Sequence, residues 1–208
     1  MNVYIDGACS NNGKPNAKAG YGIFFSNNDE RNEYGLVNGK QTNNTGELTA
    51  FIRCVEKFEK DKIYNVYTDS EYVIKCVTTY GQKLKNKEWK TKKNTEPPNV
   101  ELVKKAFELY SSNINIRLHH IEAHTEKEDI HSIGNREADR LANKAIGVEE
   151  CPYNIDRNVK VYLNVKFHEK EIAKEYGARW DMNKKKWYFE KSKLELLKQK
   201  KLLELFSI

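Results

Sequence analysis

The sequence predicts an α/β protein with a mixed five-stranded sheet flanked by helices, followed by a small basic α+β unit. Strand and helix patterns alternate through residues 1–147, a polar stretch follows, and a new strand pattern begins at Val159. Strands that alternate with helices are typical of sheets whose faces are covered by helices. The 208 residues have room for one ordinary domain and a small extra unit.

Three apolar runs near the N-terminus predict an antiparallel meander. They span residues 3–5, 21–25 and 33–37, and the last is followed by the turn pair Asn38-Gly39. The short links between them leave no room for a crossover helix, so neighbouring strands should pair directly.

The middle of the sequence predicts helices between two further strands. Apolar residues from Leu48 to Phe58 recur at helical spacing, residues 63–67 form a strand pattern, and Ser70 suits the cap of a following helix. The remaining elements are a helix across residues 100–110, a strand across 114–121 and a helix across 138–145 that ends at Gly147.

The C-terminal part predicts a separate α+β unit across residues 159–208, joined by a linker across residues 148–158. Its expected elements are a strand across 159–167, a helix across 169–176, a strand across 187–189 and a helix across 194–206. Because about 50 residues must bury apolar surface to fold, we expect Trp180 and Trp187 to form its small core rather than a base-stacking platform.

The positive charge of the chain is concentrated in this C-terminal unit. Residues 1–158 carry 23 Lys/Arg and 23 Asp/Glu, whereas residues 159–208 carry 13 and 7, so the whole excess of +6 lies there. A basic segment attached to a neutral one indicates a polyanionic partner, and a solvated helix face is the alternative.

Cysteine usage and hydropathy favour an intracellular, cytoplasmic location. The four cysteines stand too far apart for a zinc site or a disulfide framework, and we expect reduced thiols. No apolar run reaches the roughly 18 residues of a membrane span, and no secretory signal precedes the first strand. We expect a monomer without membrane association.

Four acidic residues stand near the ends of predicted elements. They are Asp6 after the first strand, Glu47 at the start of the first long helix, Asp69 after the fourth strand and Asp139 on the last helix. Structural alternatives are a turn before Gly7 for Asp6, a capping box with Asn44 for Glu47, a helix dipole for Asp69 and a surface position for Asp139. Convergent carboxylates suit two Mg²⁺ ions about 4 Å apart, which can hydrolyse a phosphodiester.

Four stretches between residues 1 and about 147 carry recognisable motifs: YIDGACSNNGKPNAKAGYGIFF (4–25), TNNTGELTA (42–50), VYTDSEYV (66–73) and EAHTEKEDIHSIGNREADRLANKA (122–145). Together they resemble type 1 ribonucleases H. The resemblance implies a ribonuclease H-like fold and an endoribonuclease that cuts the RNA strand of RNA–DNA hybrids. It also implies two Mg²⁺ ions, with Mn²⁺ as an alternative, and products with 5′-phosphate and 3′-hydroxyl ends.

The resemblance assigns a role to each catalytic position. Asp6 would bridge both ions, Asp139 would complete the site of the attacking water, and Glu47 and Asp69 would hold the ion beside the leaving 3′ oxygen. His124 matches a mobile His that assists product release or proton transfer in this family. Gly46 departs from the family pattern, where a larger residue is common, and either loosens Glu47 or is harmless.

The resemblance also implies contacts to both strands of a hybrid. The main chain near Cys9 and the side chains of Asn11, Asn43 and Asn44 would follow the RNA strand, where amides can donate to and accept from a 2′-hydroxyl. Thr42 and Asn99 would grip a DNA phosphate, with added charge from Lys40. The basic run Lys83–Lys93 with Trp89 resembles the family's protruding handle, and Tyr80 would stack beside it. Turn, cap and solvated-loop roles are the alternatives for these residues.

Residues 162–192 resemble a small module that is found beside enzymes of nucleic-acid metabolism and has no established function. Arg179, Lys184, Lys185 and Lys186 would suit phosphate binding, and docking of a partner protein is the alternative. Two other functions stay open for the whole chain: a nuclease of the same fold with another target, and a non-catalytic hybrid-binding module. The Asn43-Asn44 pair and the basic handle argue against the first, and the complete carboxylate set argues against the second.

Overall fold

The computed structural model describes residues 1–123, 129–148, 160–190 and 196–206. The chain divides into two compact units, Met1–Cys151 and Pro152–Ile208, and each is considered by itself. The predicted boundaries at residues 147 and 159 stay a prediction.

Unit 1 is built on a mixed five-stranded sheet with the order β3-β2-β1-β4-β5. Neighbours among β1, β2 and β3 pair antiparallel, and β1, β4 and β5 run parallel. The strands are β1 Asn2–Ser10, β2 Lys18–Phe24, β3 Glu33–Leu36, β4 Tyr64–Thr68 and β5 Ile116–His120. This topology confirms the predicted meander and the predicted mixed sheet.

Five helices cover the two faces of this sheet. They are α1 Asn43–Val55, α2 Glu71–Val77, α3 Thr79–Lys85, α4 Val100–Ser111 and α5 Ile130–Ala145. The main core lies on one face, where Val3 and Ile5 of β1 pack with Leu48 of α1. A smaller core lies on the other face, where Tyr4 packs with Ala138 of α5. Successive residues of β1 therefore face α1 and α5 in turn.

Tertiary pairing moves several element ends away from their predicted positions. Strand β1 does not end before Asp6 but runs on to Ser10, because its second half pairs with β2 as far as Ser10↔Lys18. Asp6 is therefore a strand residue, and the alternative of a turn before Gly7 is wrong. Strand β5 is shorter than predicted, and Ile114 lies outside it with 95% of its surface exposed.

Helix α1 begins with a different cap from the one considered from the sequence. The Thr42 hydroxyl accepts a hydrogen bond from the Thr45 backbone N–H (3.2 Å), and the Thr45 hydroxyl accepts one from the Thr42 N–H (3.1 Å). The capping box is thus Thr42 with Thr45, and the alternative that paired Asn44 with Glu47 is wrong. Glu47 is left available to the site.

Unit 2 contains a three-stranded antiparallel sheet with the order β6-β8-β7. Its elements are β6 Lys160–Leu163, a short 3-10 turn Phe167–Glu169, α6 Lys170–Glu175, β7 Arg179–Asp181, β8 Lys186–Glu190 and α7 Leu196–Phe206. Trp187 and Phe189 of β8 pack with Leu202 and Phe206 of α7. Trp187 is buried as predicted, whereas Trp180 is 44% exposed and lies in a T-shaped contact with Trp187, with the ring centres 5.5 Å apart.

The described part of the chain was predicted to have no membrane span and no disulfide. No helix in the described ranges is both long and apolar enough to cross a bilayer. Cys9, Cys54 and Cys76 are free thiols, as predicted. Cys151 lies outside the described residues.

An ion-pair cluster joins β3 to α1 and makes stability depend on pH. Burial alone would raise the pKa of Glu33, but hydrogen bonds from Lys57, Tyr21 and Arg53 outweigh it and lower the pKa from 4.5 to about 2. Its carboxylate lies 2.5 Å from the Lys57 Nζ and 2.9 Å from the Arg53 Nη2. The ionised form is therefore favoured in the folded state.

We expect Glu33→Gln to lower the free energy of unfolding at neutral pH by roughly 1 to 2 kcal/mol, after allowance for partial solvent exposure. A folded-state pKa below the unfolded value stabilises above pH 4.5, and this stabilisation disappears as the pH falls from about 4.5 to about 2. Urea denaturation at pH 7 and pH 3 should show the difference between variant and parent shrinking at pH 3. Glu30→Gln, at an exposed position, is the control, and an equal difference at both pH values would contradict the explanation.

Candidate active site

The parallel pairing of β1 with β4 places Asp6 and Asp69 side by side at the same edge of the sheet. The register runs from Asn2↔Asn65 to Tyr4↔Tyr67, and the same offset places Asp6 opposite Asp69 at the carboxyl ends of the strands. The Tyr4 and Tyr67 rings stack 5.1 Å apart on the α5 side. Because side chains alternate along a strand, Asp6 and Asp69, each two residues after one of these tyrosines, lie on the same face. Asp6 thus lies in β1, and Asp69 directly follows its neighbour β4.

Helix α5 brings Asp139 to Asp6 because β2 has a glycine at the contact. Gly22 pairs with Asp6, and a Cβ on Gly22 would lie 2.2 Å from the Ala138 carbonyl oxygen and 2.6 Å from the Ala142 nitrogen. A larger residue would hold the helix backbone away from the strand. Gly22 therefore sets the distance between α5 and the sheet. Asp139 directly follows Ala138 on α5, so this distance decides how near its carboxylate comes to the strand ends.

Helix α1 brings Glu47 to the site through a second close approach. A Cβ on Gly46 would lie 2.6 Å from the Gly20 carbonyl oxygen and 3.2 Å from the Gly7 Cα. Gly46 is fully packed against β1 and β2 and seats the start of α1 on the sheet. The departure from the family pattern at Gly46 is therefore a packing feature that places Glu47, not a source of looseness.

Three of the four carboxylates of the site are buried, Asp69 is partly buried, and the charges of the group act on one another. Asp6, Glu47 and Asp139 are 7%, 8% and 7% exposed. Burial, followed by the charges of Asp69 and Asp139 and to a smaller degree Glu47, raises the pKa of Asp6 well above its usual range. Burial also raises the pKa of Glu47 to about 7, although the hydrogen bond from Ser70 opposes this. The cluster concentrates negative charge that a cation would relieve.

Each carboxylate is oriented by a hydrogen-bond donor from the protein. Glu47 accepts from the Asn43 amide (2.8 Å, Oε1) and from the Ser70 hydroxyl at Oε2. The other bonds run from Asn135 to Asp69 (2.9 Å), from Asn143 to Asp139 (2.8 Å) and from the Gly7 N–H to Asp6 (2.7 Å). Fixed carboxylates lose little conformational freedom on meeting a ligand.

The donor set fits hard divalent cations. Four carboxylates offer the oxygen ligands that Mg²⁺ and Mn²⁺ prefer, and the mutual repulsion around Asp6 is the kind that a cation offsets. Within the described ranges, no three acidic, His or Cys side chains are already arranged as a coordination site. Glu47 accepts hydrogen bonds at both carboxylate oxygens, so a cation that binds Glu47 would compete with Asn43 or Ser70 for it.

Two positioning residues, Asn135 and Asn143, were not predicted from the sequence, and Ser70 was predicted only as a helix cap. Asn135, Asp139 and Asn143 are spaced by four, so one side of α5 presents amide, carboxylate and amide in turn. That spacing is visible in the sequence and is the signal that identifies the two amides as partners of acidic residues. Ser70 was predicted as a helix cap, which is confirmed by its bond from the Val73 N–H (3.2 Å). Its second role, toward Glu47, depends on a contact 23 residues away.

The residues predicted along the RNA strand lie around the ends of β1 and α1. Cys9 is near the end of β1, and Asn11 follows in the turn with a left-handed backbone (φ 52°). Asn43 touches Glu47, whereas Asn44 and Lys40 are exposed. Thr42 is the cap of α1, so any phosphate contact would come in addition to that role. Contacts between these residues and a substrate stay a prediction.

The residues predicted along the DNA strand are partly committed to packing. The Trp89 ring meets the Phe107 ring edge-on at 6.0 Å, and Tyr80 packs against the main core. The Asn99 amide lies 3.4 Å from the Tyr72 hydroxyl. His124 lies outside the described residues, so its predicted role stays a prediction.

Comparison with known proteins agrees with this geometry. The profile of the RNase H family matches residues 1–147. The chain belongs to the RNase H family. The C-terminal part matches a domain of unknown function (DUF5710) over residues 160–199, so this RNase H family chain carries an additional unit whose role the match does not explain.

Individual relatives extend the comparison. Ribonuclease H of Schizosaccharomyces pombe is 37% identical over 143 residues, which is 68% of this chain and 51% of the relative. Ribonuclease H of Trichodesmium erythraeum is 34% identical over 156 residues, 74% of this chain and 94% of the relative. The solution structure of the PFV RNase H domain has a TM-score of 0.54 and 25% identity, and the match covers 69% of this chain and 92% of that one. The chain spans about half the length of the first of these relatives.

Replacing Ser70 tests how Glu47 is held in this RNase H unit. We expect Ser70→Ala to cost about 1 kcal/mol of stability through loss of the α2 cap. Glu47 would also lose the bond that opposes the rise in its pKa, so a higher Mg²⁺ concentration should be needed for half-maximal activity. Ser70→Thr keeps a hydroxyl and should restore both properties. A lowered melting temperature with an unchanged Mg²⁺ midpoint would leave Ser70 with the capping role alone.

Proposed function

We propose that the chain is an endoribonuclease that hydrolyses the RNA strand of RNA–DNA hybrids. The observation that carries the proposal is the set of four carboxylates, three of them buried, around Asp6 at the strand ends of a chain that belongs to the RNase H family. A binding role gains nothing from buried negative charge beside phosphates, whereas metal-assisted hydrolysis requires it.

Asp6, Glu47, Asp69 and Asp139 would hold two divalent cations, Mg²⁺ or Mn²⁺. When bound, such ions generate a nucleophile from water and stabilise the leaving 3′ oxygen, which gives 5′-phosphate and 3′-hydroxyl ends. The hydrogen bonds from Asn43, Ser70, Asn135 and Asn143 keep the carboxylates in place before the substrate arrives. His124 would move a proton or assist product release, as the family resemblance implies.

Asn43 would connect substrate recognition to the carboxylates. Its amide donates to Glu47, and its position at the start of α1 is one that the resemblance assigns to the RNA strand. A 2′-hydroxyl in contact with this amide would therefore sit beside Glu47, which favours RNA over DNA at this strand. The DNA strand would be contacted by Thr42 and Asn99, with Lys40, Tyr80 and the lysines near Trp89. Contacts to its phosphates depend on the geometry of the hybrid and not on its sequence.

The proposal is tested by a cleavage panel with the full chain. End-labelled RNA–DNA hybrid, double-stranded RNA, double-stranded DNA and a DNA junction should be incubated with Mg²⁺, Mn²⁺ or a chelator. We expect cleavage of the RNA strand of the hybrid alone, abolished by the chelator, with a 5′-phosphate on the downstream product. Tight hybrid binding without cleavage under either metal would indicate a binding module, and cleavage of another duplex would indicate a different target. We further propose a cytoplasmic monomer.

A further inference from the structure

The sheet of unit 2 has one face covered by helices and one that carries exposed basic side chains. Val161, Leu163, Trp187 and Phe189 point into the small core with α6 and α7. Side chains alternate along strands, so their neighbours in sequence lie on the opposite face. That face, here named the basic face, presents Lys160 and Tyr162 of β6, Arg179 and Asp181 of β7, and Lys186 and Tyr188 of β8.

A pair of tyrosines forms the floor of the basic face. The rings of Tyr162 and Tyr188 lie 5.9 Å apart, and Tyr188 is only 9% exposed. The Lys160 Nζ lies 4.3 Å from the centre of the Tyr188 ring, and the Lys184 Nζ lies 4.6 Å from that of Tyr162. A lysine ammonium group therefore lies over each ring. The rings position these lysines through cation–π contacts and leave no open surface on which a base could stack.

Asp181 organises these groups around one carboxylate. Its Oδ2 accepts from the Tyr162 hydroxyl (2.8 Å) and pairs with Lys160 (3.1 Å). Its Oδ1 accepts from the backbone N–H groups of Asn183 and Lys184, both at 3.0 Å, and so fixes the turn between β7 and β8. The Asp181 carboxylate is therefore engaged by its own neighbours.

The cations of the basic face exceed what this carboxylate can neutralise. Lys160, Arg179, Lys184 and Lys186 are all exposed. Among the side chains that the structure describes, Arg179, Lys184 and Lys186 form no ion pair. Three cations on one small sheet and its turn match a polymer with regularly spaced phosphates better than they match an isolated anion, because several contacts form at once.

We propose that the basic face of unit 2 is a second nucleic-acid site, which binds the sugar–phosphate backbone through Arg179, Lys184 and Lys186. Contacts to phosphates carry no sequence information, so the site should accept a hybrid, a DNA duplex or single-stranded RNA alike. Its effect would be to raise the affinity of the chain for nucleic acid without changing which strand is cut. The inference concerns binding and does not depend on the proposed cleavage.

The test measures binding by the full chain without catalysis. All proteins carry Asp6→Asn, and fluorescence anisotropy with labelled hybrid, DNA duplex and single-stranded RNA is recorded in chelator from about 50 to 200 mM KCl, where phosphate contacts lose affinity steeply. The face variant replaces Arg179, Lys184 and Lys186 with Gln. The control variant makes the same change of charge in unit 2 but off this face, at Lys166, Lys198 and Lys201.

Each phosphate contact contributes about 0.9 to the slope of log affinity against log salt. The face variant should therefore reduce the slope by about 2 to 3 and weaken binding at least about tenfold at the lowest salt, on all three ligands. Arg179→Gln alone should reduce the slope by about 1. The control variant should show less than a third of these changes in slope and affinity. Melting curves should confirm that all variants fold.

Equal affinities and slopes for the face and control variants would overturn the proposal. So would a loss confined to vesicles of anionic lipid, which should be included as a ligand, because that result would assign the face to a membrane surface. Cleavage by proteins with native Asp6 is measured separately. An inactive enzyme that keeps the salt-dependent difference would refute the proposed function and leave this site intact.

Discussion

Asp6→Asn is expected to abolish cleavage while making the fold more stable. The Asp6 carboxylate is buried beside Asp69 and Asp139, so its charge is opposed by desolvation and by like charges. Asn keeps an oxygen that can accept from the Gly7 N–H and removes the charge. We expect a loss of activity of about a thousandfold or more, since several kcal/mol of transition-state stabilisation disappear. The free energy of unfolding in chelator should rise by about 0.5 to 2 kcal/mol.

Melting curves measure the binding of Mg²⁺ separately from its effect on activity. Mg²⁺ should raise the melting temperature of the parent protein, because a ligand at about a hundred times its dissociation constant stabilises by about 2.7 kcal/mol. The same Mg²⁺ should stabilise Asp6→Asn far less. Asp61→Asn, at an exposed position of unit 1, is the control and should behave as the parent does. Equal stabilisation of all three proteins by Mg²⁺, or cleavage that survives Asp6→Asn, would refute the assigned metal site.

Gly22→Ala is expected to damage both the fold and the site. The added Cβ would lie 2.2 Å from the Ala138 carbonyl oxygen and 2.6 Å from the Ala142 nitrogen, which are backbone atoms that cannot move without moving α5. Overpacking of this kind costs about 1 to 3 kcal/mol. Because Asp139 follows Ala138 on the same turn, its carboxylate would shift away from Asp6, and a shift of about 1 Å can cost about a hundredfold in rate.

The measurement combines urea denaturation with single-turnover cleavage. Gly35→Ala on the edge strand β3 is the matched control, because the nearest atoms to its new Cβ are side-chain atoms of Tyr21 at 2.9 to 3.1 Å rather than backbone atoms of α5. We expect Gly35→Ala to keep most of the activity and to lose less stability than Gly22→Ala. If Gly22→Ala retained full activity and stability, the close approach of α5 would not be what positions Asp139.

Most of the strand and helix order follows from local patterns in the sequence. Leu48 and the apolar residues after it predict α1 because they repeat at helical spacing, and Ser70 predicts the start of α2 because its hydroxyl suits a cap. The motifs around Asp6 and Asp139 predicted a family that the comparison confirms. These features depend on residues close in sequence, so the chain determines them before it folds.

Contacts between distant segments decided the rest. Strand β1 continues past Asp6 only because β2 pairs with it, and the three-residue strand β7 is too short to show an alternation of its own. Two of the donors that orient the carboxylates come from far along the chain: Asn135 is 66 residues from Asp69, and Ser70 is 23 residues from Glu47. The sequence by itself predicted which acidic groups stand near the ends of strands and helices. Only the tertiary structure decided how they are held, because burial, repulsion and hydrogen bonding depend on neighbours that folding brings together.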